Sequence, residues 1–543
     1  MLQLFFIICG NLTWETNDDE LFNLIAAGAY GFSNSQYLIF INIIYGWMVK
    51  MLYYLFPSLN AYLFFMLGLN SFFIICLCLE LTENLSVFHS IFVTILINLF
   101  LRLNYFSILQ FTKNAFLYTI VGCLLILNGI KKKSILKTCL GYLGIILGFC
   151  VRWESCIFIV PFFLLFLGFH LARSKSRKSY ILPLIILPFF ILFVWFIDNK
   201  AYSSEPWKYY NSYNKVRSSL LDYGIPSYTE HRSEYESLSV SENDVVMLEN
   251  WLFSDETVFS LEKLQEINQL KDSSGSFSII SFNRKGLSSL QDCLTIHPIF
   301  PITWVLILFF LTLFGKKDEQ ILGILCSSLI FMLYCYLASS RIQWRVEIGI
   351  WLASILLFLP ILIQHIESNQ NNLRSYNSYL LFILVLITSI PMFSLSYYFV
   401  KEKHCSIRSL HECELDLVQK LNLDNSNYYL GDSLTLSTVP FTPALVDVTR
   451  SKYEGFFQKN FQIIAGWEYP SPLVKQALGL HGINNPLEDL LNDNVYYVTR
   501  DQTDRHPEQN ILKFLQEHHD PSTMLIDKGY IDYIHVYEFK SSE

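Results

Sequence analysis

The chain has 543 residues, 52% of them hydrophobic and 16% aromatic, with a mean hydropathy of +0.35. Long apolar runs at that composition exclude an ordinary soluble enzyme and place the chain in the polytopic membrane class. The formal charge of -8 averages lipid-embedded and polar segments, and no basic patch points to nucleic acid.

The run Leu2 to Cys9 falls short of the roughly 20 residues a spanning helix needs. It is expected either as the tail of a longer helix or as a segment tucked against protein. Lacking a basic n-region and a small-residue cleavage site, it does not read as a cleaved signal peptide. Directly after it comes WETNDDELFNLIAAGAYG, Trp14 to Gly31. Three consecutive acids, Asp18, Asp19 and Glu20, cannot sit in lipid, so this stretch is expected at a membrane face open to water or a polar substrate. Leu21, Leu24, Ile25 and Ala29 recur at helical spacing, which predicts a short amphipathic helix with Asn17 or Asp18 as its cap. The same pattern also fits acids that only cap and solvate a helix start.

Tyr37 to Phe56 is apolar but carries Asn42, Gly46 and Lys50 and ends at Pro57. We expect a helix lying in the membrane interface, with an ordinary spanning helix as the other possibility. Spans are expected at Ala61 to Leu79, Val87 to Leu103, Ala115 to Ile130, Thr138 to Val151, Cys156 to Ala172, Tyr180 to Ile197, Phe300 to Phe314, Ile321 to Ala338, Ile348 to Ile363 and Tyr379 to Val400. The basic clusters Lys131 to Lys133 with Lys137, Arg173 to Lys178, Lys316 with Lys317, and Arg374 are separated by even numbers of these spans. They therefore share one side, which the positive-inside rule makes cytoplasmic.

The opposite side receives the segment Trp14 to Asn60, the turns at Asn104 to Asn114 and Arg152 to Ser155, the loop Asp198 to Pro298, the turn Ser339 to Glu347 and everything after Val400. The loop is too long for a plain connection. Its run WKYYNSYNKVRSSLLDYG, its helix-start signals at Ser241 and Ser254 and its apolar residues at helical intervals predict a small helical subdomain, with a mobile part around Lys271 to Gly275. After Val400, strand-like NYYLGDS, NVYYVTRD and YIHVYEF alternate with helical ELDLVQKL and ILKFLQEHH, which predicts a compact α/β domain. Nine of the 12 cysteines, Cys76, Cys123 and Cys326 among them, fall in or at the ends of apolar runs, where Cys acts as a small hydrophobe. Cys293, Cys405 and Cys413 lie in polar regions without a paired CxxC, which argues against zinc and leaves a Cys405 to Cys413 disulfide open.

This sidedness puts Asp18, Asp19, Glu20, Thr112, Lys113, Arg152, Glu154, Arg341, Arg345 and Glu347 at the outer helix ends, where charges mark pathways, partners or catalysis. Carboxylates suit a hydroxyl proton, and guanidinium groups suit a phosphate held bidentately. The plainer alternatives are interfacial ion pairs, Arg152 with Glu154 and Arg345 with Glu347, and a Lys113 that snorkels to headgroups.

Asp19-Glu20-Leu21-Phe22-Asn23-Leu24-Ile25-Ala26-Ala27-Gly28-Ala29-Tyr30-Gly31, placed after the first apolar segment and before an interfacial helix, resembles the first external loop of GT-C fold glycosyltransferases. Bacterial aminoarabinose transferases and protein mannosyltransferases are examples. The resemblance covers nearly the whole chain through its architecture. It implies a catalytic Asp, with Asp19 the first choice beside Asp18 and Glu20, a second polar motif loosely matched by Phe111-Thr112-Lys113-Asn114-Ala115, and a donor phosphate held by Arg152, Arg341 or Arg345 with Glu154, Lys113 and Thr112 nearby. The carboxy-terminal motif of oligosaccharyltransferases is not found, and the doublet Asp18-Asp19 leaves the catalytic acid open.

The expected fold is mainly α, a polytopic GT-C-like transmembrane helix bundle of about 11 spans over residues 1–400. It includes the first external loop, 14–60, with interfacial helices and an external helical loop subdomain, 198–298, and an external soluble α/β domain follows over 401–543. The expected function is transfer of a sugar from a polyprenyl-phosphate donor to an acceptor hydroxyl of a glycan, lipid or protein at the outer face of the cell membrane. A divalent metal is left open and no other cofactor is expected. A polysaccharide polymerase or ligase, a transporter or flippase of lipid-linked sugar, and a non-catalytic assembly partner are the alternatives. A transporter is expected to carry polar residues near the bilayer midplane, whereas these charges gather at one face.

Overall fold

The computed structural model describes residues 1–9, 12–31, 33–174, 177–273, 287–288, 291, 299–338, 343–368, 416–432, 435, 444, 448–500 and 506–541. The expected span Tyr379 to Val400 and residues Ser274, Gly275, Cys293, Arg341, Arg374, Cys405 and Cys413 lie outside these.

The chain opens with α1 (Leu2–Cys9), the two-residue strand β1 (Thr13–Trp14), α2 (Asn17–Ala27) and α3 (Ile43–Leu55). At 13 residues, α3 is about 20 Å long, too short for a hydrocarbon core of roughly 30 Å. Its Trp47, Met51 and Tyr54 nonetheless stay exposed. The bundle follows as α4 (Ala61–Thr82), α5 (Val87–Arg102), strand β2 (Ile108–Leu109), α6 (Phe111–Lys132), α7 (Ile135–Val151), α8 (Trp153–Arg173) and α9 (Arg177–Ala201). After the loop subdomain, α10 (Glu205–Tyr223), α11 (Arg232–Ser237), α12 (Glu242–Glu249) and α13 (Leu261–Gln269), come α14 (Ile299–Phe314), α15 (Lys317–Ala338) and α16 (Trp344–Ser368).

Seven helices, α4, α5, α6, α8, α9, α15 and α16, are long and apolar enough to cross a membrane. The apolar helices α7 and α14, with 17 and 16 residues, are about 25 Å long. The expectation of about 11 spans thus meets seven such helices among the described residues. Helices α6 and α16 are almost wholly buried and form the axis of the bundle, while α9 lies outermost. Its Ile185, Phe189, Phe193 and Phe196 are exposed, an apolar surface that hydrocarbon would cover.

Close helix contact depends on glycines. A Cβ at Gly148 of α7 would lie 2.1 Å from Thr119 Oγ1, and one at Gly349 of α16 would lie 2.3 Å from the Phe116 ring, so both helices press against the first turns of α6. Gly148 lies four residues before Arg152, and Gly349 four residues after Arg345. Both guanidinium groups are thereby brought to the end of α6 that starts at Phe111. The other end gathers the basic clusters. Lys132 and Lys137 pair with Glu80 at 2.9 and 2.6 Å, and Arg173 and His365 reach Glu319 at 3.1 and 2.6 Å.

In the loop subdomain the capping box is present, with Ser241 Oγ accepting from Asp244 N and Asp244 accepting from Ser241 N. Ser254 starts no helix. The cap falls at Ser260 instead, because the Asp255 carboxylate accepts from the Thr257 N–H and hydroxyl and holds a turn there.

The C-terminal domain is a five-stranded sheet ordered β4 (Phe461–Ile463), β3 (Tyr428–Gly431), β5 (Val495–Arg500), β7 (Ile534–Ser541), β6 (Thr523–Ile531), with α17 (Pro472–Gly479) and α18 (Pro507–His518). β3 runs parallel to β4 and β5, and β7 runs antiparallel to β5 and β6. The three strand-like runs expected from sequence are β3, β5 and β7. β4 and β6 were not expected: β4 has three residues, and β6 is broken by a register shift between Asp527 and Tyr530. The domain sits on the end of the bundle opposite the basic clusters. There, Gly455 and Phe457 N–H donate to Gly28 and Ala29 carbonyls at 2.8 Å, and the Trp467 ring lies 4.9 Å from Phe40 and 5.6 Å from Phe22.

Candidate functional site

At this junction α2, α6, the α7–α8 turn, α10, α16 and the loop after β4 enclose a cavity of about 530 Å³. Local pairing sets the positions of its walls. β1 and β2 pair in parallel, Thr13 with Ile108 and Trp14 with Leu109, which ties the start of α2 to the start of α6. The cap residue of α2 is Thr16, and no side chain accepts a cap bond, which corrects the expected capping by Asn17 or Asp18. Thr16 is the last extended residue, with φ −132°, and its hydroxyl donates to Asp18 at 3.4 Å. The three acids therefore stand in the first turn, where the helix dipole favours negative charge.

The two aspartates face different ways. Asp19 is fully buried, accepts from the Tyr62 hydroxyl at 2.9 Å and from Phe111 N–H at 3.2 and 3.3 Å, and does not line the cavity. It ties α2 to α4 and sits at the start of α6. Burial pushes its carboxyl well up, with Asp18 adding to the rise and the two hydrogen bonds opposing it. Asp18 does line the cavity, partly exposed to it. Burial raises its carboxyl above the ordinary value, against the pull of Arg345 and then Arg152. Glu20 is part-exposed and is not in the cavity wall.

Thr112, Arg152, Glu154 and Arg345 line the same cavity as Asp18. Arg152 stands in extended backbone between α7 and α8, its Nε 3.1 Å from Glu154 and its guanidinium carbon 5.5 and 5.8 Å from the centres of the Phe111 and Phe40 rings. The Arg152–Glu154 ion pair thus exists and faces the cavity. Lys113 is elsewhere. Fully buried, it bonds Glu15 at 2.9 Å and the Ile108 carbonyl at 2.7 Å and lies 4.8 Å over the Trp344 ring, so it is an internal ion pair rather than a snorkelling side chain. Arg341 lies outside the described residues.

Arg217, Asp222, Trp467 and Glu468 also line the cavity. Arg217 is buried on α10, bonded to Asn214 and lying 5.0 Å over the Trp251 ring. Glu468 follows Gly466, whose φ of +108° and missing side chain leave room for the carboxyl, since a Cβ there would lie 2.6 Å from Glu468 Oε2. Burial pushes the Glu468 carboxyl up to about 8; the Asp18 charge adds to this, while its own N–H and Arg217 work against it. The Trp467 indole N–H is buried without a partner, a donor available to a ligand.

The run holding Arg217 stands out in the sequence as aromatic and polar, and GWEYP sets one acid between two aromatics. Neither pattern says which surface the side chain faces. Although four carboxyl groups line the cavity, among the described residues the one set of three metal-capable side chains converging within 4.8 Å is Asp244, Glu517 and His518, away from it. There, Asp244 is already bonded by Ser241 N–H and His518. The cavity acids do not form a metal cage. No family model, curated protein or solved structure matches this chain.

Proposed function

We propose that this chain is a membrane glycosyltransferase that moves a sugar from a polyprenyl-phosphate donor to an acceptor hydroxyl, and that the cavity around Asp18 is its active site. One observation carries the reading: the Asp18 carboxyl and three guanidinium groups, those of Arg152, Arg217 and Arg345, line one cavity at the end of an apolar helix bundle, under the sheet domain. Its volume is in the range of small-molecule sites. A donor with a long apolar chain and a charged head would meet such a site from the lipid edge.

Asp18 takes the acceptor hydroxyl proton while the hydroxyl oxygen bonds to the anomeric carbon. The bond from that carbon to the phosphate oxygen breaks, and the electron pair leaves with the polyprenyl phosphate. Arg152 and Arg345 hold that phosphate and answer its growing charge. Glu468, which keeps its proton near neutral pH, donates a hydrogen bond to a sugar hydroxyl, as does the Trp467 indole. Asp19 acts through Asp18, as the support that fixes α2 against α6. The positive-inside argument supports a position of this end of the bundle outside the cytoplasm.

Asp18→Asn is nearly isosteric and cannot accept the proton, so turnover per folded molecule should fall by about 10² to 10⁴ with little change in melting temperature. The measurement is transfer from a synthetic polyprenyl-phosphate sugar in detergent or nanodiscs. Full turnover in that variant removes Asp18 from the chemistry, and unaltered export of lipid-linked sugar with no transfer product in the wild type favours the transporter reading.

A further inference from the structure

The loop subdomain and the sheet domain meet where α12 packs against α18. Across this seam the Phe259 and Phe514 rings stack with centres 5.7 Å apart, and the Asn243 side-chain amide donates to the Asn510 carbonyl at 3.0 Å. Two consecutive histidines at the end of α18 each face a buried aspartate of the loop subdomain. His518 Nε2 lies 2.9 Å from both oxygens of Asp244, and His519 Nε2 lies 2.7 Å from Asp255 Oδ2, with Glu488 3.7 Å from its other nitrogen. The support behind these two acids differs. Asp255 also accepts from the Thr257 N–H and hydroxyl and from the Val258 N–H, so its own turn answers its charge. Asp244 has, among the described residues, the Ser241 N–H and His518, and a buried carboxylate with so few donors depends on the cation beside it. Two other charged groups act on His518: Glu517 on its own helix, which accepts from the Ser241 hydroxyl and stands 3.7 Å from Lys513, and Lys263 of α13, which opposes protonation. The hydrogen bond to Asp244 outweighs partial burial and raises the imidazole above its ordinary value. The stability this pair contributes is therefore fully present below about 6.5 and is lost as pH rises through the raised value.

We propose that His518 and Asp244 form a proton-operated clasp, which holds the loop subdomain against the sheet domain in acid and loosens as the medium turns alkaline. The seam bears on the cavity because the cavity walls come from both of its sides, Arg217, Asp222 and Trp251 from the loop subdomain and Trp467 and Glu468 from the sheet domain. Trp251 stands two residues after α12, and the Arg217 guanidinium lies 5.0 Å over its ring, so α12 joins the clasp to the cavity wall. The clasp does not depend on the reaction proposed at Asp18.

The test is hydrogen exchange of the full chain in detergent at roughly pH 6 to 9, the range around the ordinary imidazole value, with rates corrected for their intrinsic pH dependence and α12 amides compared with those of β5. Glu468 titrates in the same direction as His518, so the clasp is read as the difference between the wild type and His518→Gln, both of which keep Glu468. Over this range α12 should lose at least about threefold more protection in the wild type than in His518→Gln. Asp244→Asn keeps an acceptor for the Ser241 N–H while removing the charge, and it should flatten the profile in the same way. Equal profiles in the wild type and His518→Gln overturn the proposal, as does a loss of protection in β5 as large as that in α12, which would mark general unfolding.

Discussion

Glu468 offers the sharpest test of the site's electrostatics, because its carboxyl is buried at the seam between bundle and C-terminal domain. A carboxyl whose folded pKa lies above its unfolded value binds its proton more tightly in the native state. Its contribution is fully favourable below about 4.5, is lost as pH rises, and levels off above about 8. At 1.36 kcal/mol per unit, the wild type loses about 3 kcal/mol by pH 7 and about 5 kcal/mol above pH 8 from this group. Glu468→Gln is neutral throughout and escapes that loss. Asp18 and Asp19, raised in the same direction, stay in both proteins, so their slopes largely cancel in the comparison. Unfolding of the detergent-solubilised pair, followed by tryptophan fluorescence with Trp467 beside the changed group, should give equal stabilities at pH 4 and a more stable Glu468→Gln at pH 7 to 9. Parallel stability profiles across that window would show that Glu468 titrates normally and that the seam is wet.

The other expectations concern separate parts of the site. Asp19→Ala strips the acceptor from two buried donors, Tyr62 O–H and Phe111 N–H, and at about 1 to 3 kcal/mol each should destabilise the fold by about 2 to 6 kcal/mol; a melting temperature like the wild type's would refute its role as support. Arg345→Lys keeps the charge but not the planar fork and should weaken donor binding about tenfold or more; unchanged affinity in this variant and in Arg152→Lys would leave the phosphate without a holder. Reporters placed after Lys133 and Lys178 should read as cytoplasmic and those at Gly224 and in the C-terminal domain as external, an arrangement that an external signal at Lys178 would sink.

Whatever depended on periodicity and charge sign was legible in the sequence. The long apolar helices expected over Ala61 to Leu79, Ala115 to Ile130 and Ile348 to Ile363, the grouping of Lys132, Lys137 and Arg173 at one end, the Ser241 capping box and the strands at Tyr428, Val495 and Ile534 all follow from local pattern. What depended on the facing of a single side chain was not. Asp18 and Asp19 are adjacent in a helix, so their directions differ by about 100°; one reaches the cavity and the other the Phe111 N–H, a difference set by how α2 lies against α6. Lys113 follows Thr112 in the same way, and Glu15, which buries it as an ion pair, carries no mark in the sequence. Arg217 and Glu468 come from segments whose partners lie hundreds of residues away, and no short motif records such a meeting.

The meeting has a chemical consequence. The guanidinium groups of Arg152 and Arg345 come from the bundle, Arg217 from the loop subdomain and Glu468 from the sheet domain. Were the sheet domain absent, Asp18 would face water and return toward an ordinary carboxylate, because the rise in its pKa comes from burial first. If the cavity holds a phosphate as proposed, Phe40 and Phe111, whose rings lie beside the Arg152 guanidinium, exclude water there and strengthen that arginine's attraction for it. On the proposed reading the base and the phosphate clamp are both products of the docked state, held by Gly455 and Phe457 on the carbonyls of Gly28 and Ala29. Gly28 itself ends α2 at φ +93°, where a side chain would be strained and its Cβ would lie 3.0 Å from Asn34 N. The turn that ends α2 and the surface that receives the domain are therefore built on the same residue.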